Sequence, residues 1–282
     1  MILDLVQKLH DASIKSPLSP YIGIEWPQTF PTDVWAMSPE LISIAESQTF
    51  KDLTDAQKKR LSFFECVNFF TLNIHGERAL IQGLAGRLYA RQEISPYLHD
   101  FLREENNHMV YFGTFCDRYA GKVYQDRKVA WPRAEVDQGE EDFLFFSKVM
   151  IFEEIVDVFN LEMSKDERLH PLVREINRRH HVEEIRHLVF GREMVKALWI
   201  ENSPRWNGEK KRDLSNYLAM YFETTWREYF NPDVYSDAGL AGPFDLVEEA
   251  LKLSRSSNRY KVARQNAMDV LVKVGLIDGG AE

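Results

Sequence analysis

Two tetrapeptides carry residue types suited to metal chemistry: Glu105-Asn106-Asn107-His108 and Glu184-Ile185-Arg186-His187. Residues three or four apart on a helix share a face, so Glu-x-x-His aims one carboxylate and one imidazole at the same spot. A single copy is weak evidence. Here both copies fall within long helical runs, and each is preceded by another run carrying a carboxylate. Helical bundles hold two irons in this way, with a Glu from each of two helices and Glu-x-x-His from each of the other two. A third copy, Glu167 to His170, is set aside because Pro171 places it in a turn.

Chain reach selects the partners. A helix rises about 1.5 Å per residue, so groups facing each other across a helical hairpin lie at similar distances from its turn. Glu77 sits level with Glu105, whereas Glu65 falls roughly 24 Å away along the axis. Glu153 and Glu154 both match Glu184 in height. The spacing to Glu184 favours Glu153, because it mirrors the spacing from Glu77 to Glu105, and Glu154 stays open. His180 lies four residues before Glu184, so His180, Glu184 and His187 form one stripe. Hard carboxylates with imidazoles suit iron, with manganese as the alternative.

The acidic residues Glu104 and Glu183, each just before a motif glutamate, could accept the second N–H of a ligating imidazole, as could Asp157. The equally simple reading is solvated surface charge. One turn from the ligands lie Phe70, Asn73, Phe101, Phe112, Phe146 and Val149, candidate walls of a substrate pocket or ordinary core. His10, His75, His99, His170 and His181 read as structural or surface residues.

The elements that must position these groups are helices throughout. Thr54 with Gln57 forms a capping-box signature that opens a run reaching about Ala90. Gly83 and Gly86 within it suggest close approach by a neighbour. Ser95-Pro96 opens a second helix ending near Gly121. A non-periodic stretch over 121–139 precedes a third helix, Glu140 to Met163, and a fourth runs from Pro171 to about Trp199. Two helix pairs joined by one long crossover define an all-α, ferritin-like four-helix bundle with additional N- and C-terminal helices. The expected organisation is one domain over 1–282. Its bundle core spans about 54–200, its N-terminal arm 1–53 and its extra helices 201–282, the first opened by Ser203-Pro204 and the last beyond Pro243.

Composition narrows the function. With 282 residues, 44% of them hydrophobic, the chain can bury a large core. A net charge of −9 argues against a nucleic-acid partner. The most apolar stretch, Phe143 to Phe152, is too short to span a membrane, and no leader pattern opens the chain, so a cytoplasmic protein is expected. Cys66 and Cys116 lack disulfide or metal spacing.

The segment Arg179-His180-His181-Val182-Glu183-Glu184-Ile185-Arg186-His187-Leu188-Val189-Phe190-Gly191-Arg192 resembles the last bundle helix of the p-aminobenzoate N-oxygenase family. In that family an extra histidine precedes the second Glu-x-x-His by four residues, which ferritins, rubrerythrins and the ribonucleotide reductase small subunit lack. Glu105-Asn106-Asn107-His108 is similar both to this family and to the acyl-carrier desaturases. The resemblance covers roughly residues 54–200. It implies seven iron ligands, Glu77, Glu105, His108, Glu153, His180, Glu184 and His187, and two iron ions cycling between ferrous and ferric states. It further implies O₂ activation with an external electron donor and N-oxygenation of an arylamine through hydroxylamine and nitroso stages to a nitro product. A di-iron C–H hydroxylase or desaturase is the nearest alternative, and a ferritin-like iron-binding ferroxidase is the alternative from another class. A homodimer is in keeping with such bundles.

Overall fold

Helices are the regular elements of the described residues, apart from one isolated bridge between Trp35 and Leu169. The computed structural model describes residues 2–127 and 136–277. Helix α1 (Ile2–Lys15) leads into an extended arm, followed by the short α2 (Gln48–Asp52). The bundle is then built from α3 (Asp55–Ala85), α4 (Ser95–Phe115), α5 (Gln138–Lys165) and α6 (Pro171–Asn202). Helix α3 packs along α4 and α5 along α6, which gives the ferritin-like arrangement expected from the two hairpins and the long connection. Of that connection, residues 128–135 lie outside the described residues.

Local signals set most of the boundaries. Thr54 accepts from the Gln57 N–H at 3.3 Å, while the Gln57 side chain accepts from the Thr54 N–H at 3.0 Å, a complete capping box. Helix α3 stops at Ala85, short of the expected Ala90, because Gly86 is its C-cap. Gly86 therefore ends the helix and does not admit a neighbour. Gly83 does: a Cβ there would lie 2.0 Å from the Phe145 ring. Ser95 begins α4 but does not cap it. Its hydroxyl accepts from the Tyr89 N–H and donates to the Arg91 carbonyl, closing the turn between α3 and α4. After α4 one π-helical turn (Cys116–Ala120) ends at Gly121, whose φ of 64° a Cβ would disfavour.

The arm is tied down by α6. Arg179 donates to the carbonyls of Ser19 and Ile22 at 2.9 and 3.0 Å and also to that of Gly23. Beyond α6, Ser203-Pro204 forms only a single 3₁₀ turn. The next helix, α7 (Gly208–Arg227), starts at Asn207, which accepts from the Lys210 N–H at 2.8 Å. Helices α8 (Pro232–Ala238), α9 (Pro243–Ser254) and α10 (Asn258–Lys273) follow. Of these α8 had not been expected, although Asn231-Pro232 carries its cap and first-turn signal. Helices α7 and α10 pack against α5, covering one side of the bundle.

Helices α3 and α5 meet where Gly76 faces Phe152, since a Cβ on Gly76 would lie 2.1 Å from that ring. This contact sits one residue before Glu77 and one before Glu153. Gly76→Ala is therefore expected to cost about 1–3 kcal/mol through overpacking, partly offset by the roughly 1 kcal/mol that alanine gains over glycine in a helix. Chemical denaturation of the metal-free protein measures the net loss, and a stabilised variant would contradict the packing described.

Candidate metal centre

Each bundle helix delivers its share of the cluster: Glu77 from α3, Glu105 and His108 from α4, Glu153 from α5, and His180, Glu184 and His187 from α6. All seven side chains are buried. Three overlapping sets have donor atoms within 4.8 Å of one another: Glu77, His108, His180 and Glu184; Glu105, His108, Glu184 and His187; and Glu77, Glu105, Glu153 and Glu184. Glu184 belongs to all three. His180 Nε2 lies 3.0 Å from a Glu184 oxygen and 3.3 Å from Glu77. The Nδ1 atoms of His108 and His187 face the same carboxylates, His108 at 3.2 Å from both Glu105 and Glu184, and His187 at 2.7 Å from Glu105.

The outward nitrogens are held crosswise. His108 of α4 meets Glu183 of α6 through Nε2 at 3.0 Å, and His187 of α6 meets Glu104 of α4 through Nε2 at 2.9 Å. Arg186 bridges the two carboxylates, 2.8 Å from Glu104 and 3.7 Å from Glu183. A carboxylate on Nε2–H fixes the tautomer that presents an Nδ1 lone pair to the cluster.

Asp157, expected in the same role, does not take it. It pairs with His181 at 2.5 Å. The partner of His180 is instead Asn160, whose amide lies 2.7 Å from Nδ1. Helix geometry explains the exchange: at about 100° per residue, seven residues beyond Glu153 fall roughly 20° short of two turns, while four residues overshoot one turn by roughly 40°. That i+7 spacing was the signal available in the sequence. An imidazole that binds a cation through Nε2 carries its proton on Nδ1, so the amide oxygen of Asn160 is the group that belongs beside it.

The structure separates the two adjacent α5 glutamates. Glu153 faces the cluster, whereas Glu154 accepts from Arg192 at 2.6 Å. His170 caps α6, accepting from the Leu172 N–H at 3.1 Å, and packs on Phe30. Among the six candidate wall residues, Phe101 stacks on His187 at 3.9 Å and Phe112 stands edge-on to His180 at 4.9 Å. Phe70 touches Phe112, and Phe146 touches Phe190, one ring further out. Asn73 donates back to the Phe69 carbonyl of its own helix. Val149 lines a 220 Å³ cleft with Gly76, Phe152 and Tyr221, on the side toward α7.

The donor set fits cations. Both oxygens of Glu77, both of Glu153, one each of Glu105 and Glu184, and His180 Nε2 are buried without a hydrogen-bond partner. Leaving so many polar atoms unpaired in an apolar core is costly unless something ligates them. Burial, with Glu105 next, pushes the Glu77 carboxyl well up, and burial followed by Glu184 does the same to Glu153. Burial acts in the same direction on Glu184, but His187 and His180 outweigh it and hold that carboxyl low. His108 and His187 rise despite burial because Glu105 and Glu184, respectively, stabilise their charged forms. Without metal the cluster is balanced by protons on Glu77, Glu153 and the two histidines, and cations bound there would take the place of those protons.

Glu65, in contrast, lies outside the cluster and accepts from the Ser43 N–H at 3.2 Å. Burial lifts its carboxyl to about 7, against the opposing pull of Ser43 and Arg259. A folded-state value raised above the unfolded one contributes stability in full below the unfolded value of about 4.3, and that contribution is lost as pH rises through the folded value. Glu65→Gln is therefore expected to flatten the fall in unfolding free energy between about pH 5 and pH 8. Denaturant titrations at both pH values check it, and an unchanged slope would contradict the assignment.

A buried carboxylate–imidazole cluster inside a ferritin-like bundle is common to dimetal proteins of several kinds, and the family match places this chain among the dimetal oxygenases, which are oxygen-dependent oxidoreductases. Within that class the chain belongs to the p-aminobenzoate N-oxygenase AurF family, whose sequence model matches residues 3–275. It is 24% identical over 263 residues to an uncharacterized Mycobacterium tuberculosis protein, MT0908, covering 89% of this chain and 74% of that one. Two variants of an R2-like ligand-binding oxidase, solved with an anaerobically reconstituted Mn/Fe cofactor, share the fold at a TM-score of 0.50 and 14% identity, covering 94% of this chain and 92% of theirs. No helix among the described residues is long and apolar enough to cross a membrane.

Proposed function

We propose that this protein is an N-oxygenase that carries two iron ions, with manganese also suited to the site, and oxidises the nitrogen of an arylamine bearing a carboxylate. The single observation behind the reading is the third imidazole, His180, whose buried and unpartnered Nε2 joins two Glu-x-x-His motifs in one cluster. Glu77, Glu105, His108, Glu153, His180, Glu184 and His187 would hold the ions, which when bound supply electrons to O₂ and direct oxygen to the substrate. The chain's own groups prepare that step. His108 and His187 keep their protons on Nε2, donated to Glu183 and Glu104, so that both Nδ1 atoms stay free to ligate. Phe101 and Phe112 cover the imidazoles and keep water from them.

Support for a carboxylated substrate comes from further along the bundle. The lining of a small void includes Phe69, Phe159, Tyr229, Asn68, Glu65 and Arg259. Phe159 lies six residues beyond Glu153, about 9 Å along α5. The rings of Phe69 and Tyr229 stack on Phe159 at 5.2 and 4.7 Å. Arg259, between the rings of Phe159 and Trp226, donates through one terminal nitrogen to the Leu41 carbonyl and keeps a buried Nε without a hydrogen-bond partner. It also borders a 530 Å³ outer cleft, with Leu41 and Ser43 common to both spaces. At 10 Å³ the void is smaller than an aromatic ring, so binding there requires these side chains to turn. The substrate ring then occupies the aromatic stack, its carboxylate meets Arg259, and its amine points toward the cluster.

The test supplies iron-loaded protein with a reductant, O₂ and a series of arylamines. Nitro or hydroxylamine products from aminobenzoates are expected, and Arg259→Leu should raise KM for them roughly 10- to 100-fold while sparing uncharged anilines. Hydroxylated or desaturated carbon products, or iron oxidation with no organic product, would replace this reading with a C–H hydroxylase or a ferroxidase.

A further inference from the structure

A second, 500 Å³ pocket opens between the arm, the first turns of α3 and the π turn after α4. Among the described residues its lining includes three cationic side chains, Lys59, Arg60 and Arg118, and no acidic one. In a chain of net charge −9 this is a local reversal of sign. Main-chain carbonyls hold both guanidinium groups in place: Arg60 donates to Asp237 at 2.7 Å and Arg118 to Trp26 at 3.4 Å. Lys59 is steadied by the exposed Asp55 at 2.8 Å. The walls are the rings of Phe30, Phe63 and Tyr119. Positive charge beside flat apolar walls, in a volume within the small-ligand range, selects a planar aromatic anion.

The rings continue inward from the pocket. Phe30 meets Phe115 at 5.3 Å, Phe115 meets Phe70 at 5.0 Å, Phe70 meets Phe112 at 4.9 Å, and Phe112 meets His180 at 4.9 Å. An unbroken column of ring contacts thus joins the pocket wall to an imidazole of the cluster.

We propose that this pocket binds a planar anionic two-electron reductant, reduced flavin mononucleotide being the chemical type, and that its electrons tunnel to the metal centre through the packed rings of Phe115, Phe70 and Phe112, none of which is itself reduced. This deepens the oxygenase reading and rests on it, because an oxygenase of this kind needs an electron donor. Oxidation of the anionic dihydroflavin to flavin releases two electrons and one proton. Two bound ferric ions would accept these electrons, one each, and the proton would leave through the open mouth of the pocket.

The experiment uses the full chain loaded with iron and oxidised. Flavin mononucleotide binding is read by fluorescence quenching, and reduction is followed anaerobically by loss of ferric absorption after mixing with the reduced flavin. Arg118→Glu reverses one charge, and Thr32→Trp fills the pocket from its exposed rim without touching the core. Each is expected to weaken binding and slow reduction roughly tenfold. Turnover driven by hydrogen peroxide, which brings both oxygen and electrons, should be unchanged. Wild-type binding and reduction rates in both variants would overturn the proposal. So would absence of flavin binding to the unmutated protein, or variants that impair peroxide-driven turnover while leaving reduction intact, which would make this a substrate site. Failure of the oxygenase reading would look different: flavin reduction would depend on the pocket, yet peroxide would oxidise no amine.

Discussion

Glu184→Ala is expected to yield a folded protein that retains neither metal ion and no oxygenase activity. Glu184 is the residue shared by all three sets of converging donors, and its oxygens approach His108, His180 and His187 at 3.2, 3.0 and 3.2 Å. Substitutions of residues that merely orient ligands cost about 10- to 100-fold in metal affinity. Removal of a carboxylate that serves every part of the cluster should exceed that. Metal content by mass spectrometry after anaerobic loading, alongside far-ultraviolet circular dichroism, gives the answer. A variant that keeps two ions would remove Glu184 from the centre of the site.

Glu153→Met should change stability in opposite directions with and without metal. Both Glu153 oxygens are buried without partners, and burial followed by the Glu184 charge drives its carboxyl far above its ordinary range. A carboxyl kept neutral by burial still leaves its oxygens unsatisfied, and an apolar side chain of similar volume removes that penalty of about 1–3 kcal/mol. The metal-free variant should therefore melt higher than the metal-free parent. Ligand binding to the folded state alone adds stability that grows with affinity and metal concentration. The parent should gain on iron loading and the variant should gain far less. A metal-free variant less stable than its parent would mean that Glu153 serves the fold and not a metal.

How much of this was legible beforehand follows from the physics of each feature. Periodicity and local caps are written along one strand of chain, so the bundle helices, the Thr54 capping box and the glutamates and histidines on their faces could be read directly. Glu153 over Glu154 was a weaker inference, because adjacent residues at equal height differ only in rotation about the helix axis. The crosswise pairing of Glu104 with His187 and Glu183 with His108 depends on how α4 and α6 are rotated against each other, which no single helix encodes. Asn160 was missed because a neutral amide carries no charge signature, although its i+7 spacing from Glu153 places it better than Asp157. The short α8 and the pocket formed by the arm, α3 and the end of α4 required tertiary contacts. So did Arg259, a hundred residues beyond the void-lining Phe159 and brought back by the packing of α10 on α5.

Anomalous diffraction from crystals of the iron-loaded protein puts the most direct question to the central claim. Two iron peaks should appear within ligating distance of Glu77, Glu105, His108, Glu153, His180, Glu184 and His187, with Glu184 reaching both. A single peak, or peaks confined to exposed acidic side chains, would contradict the account.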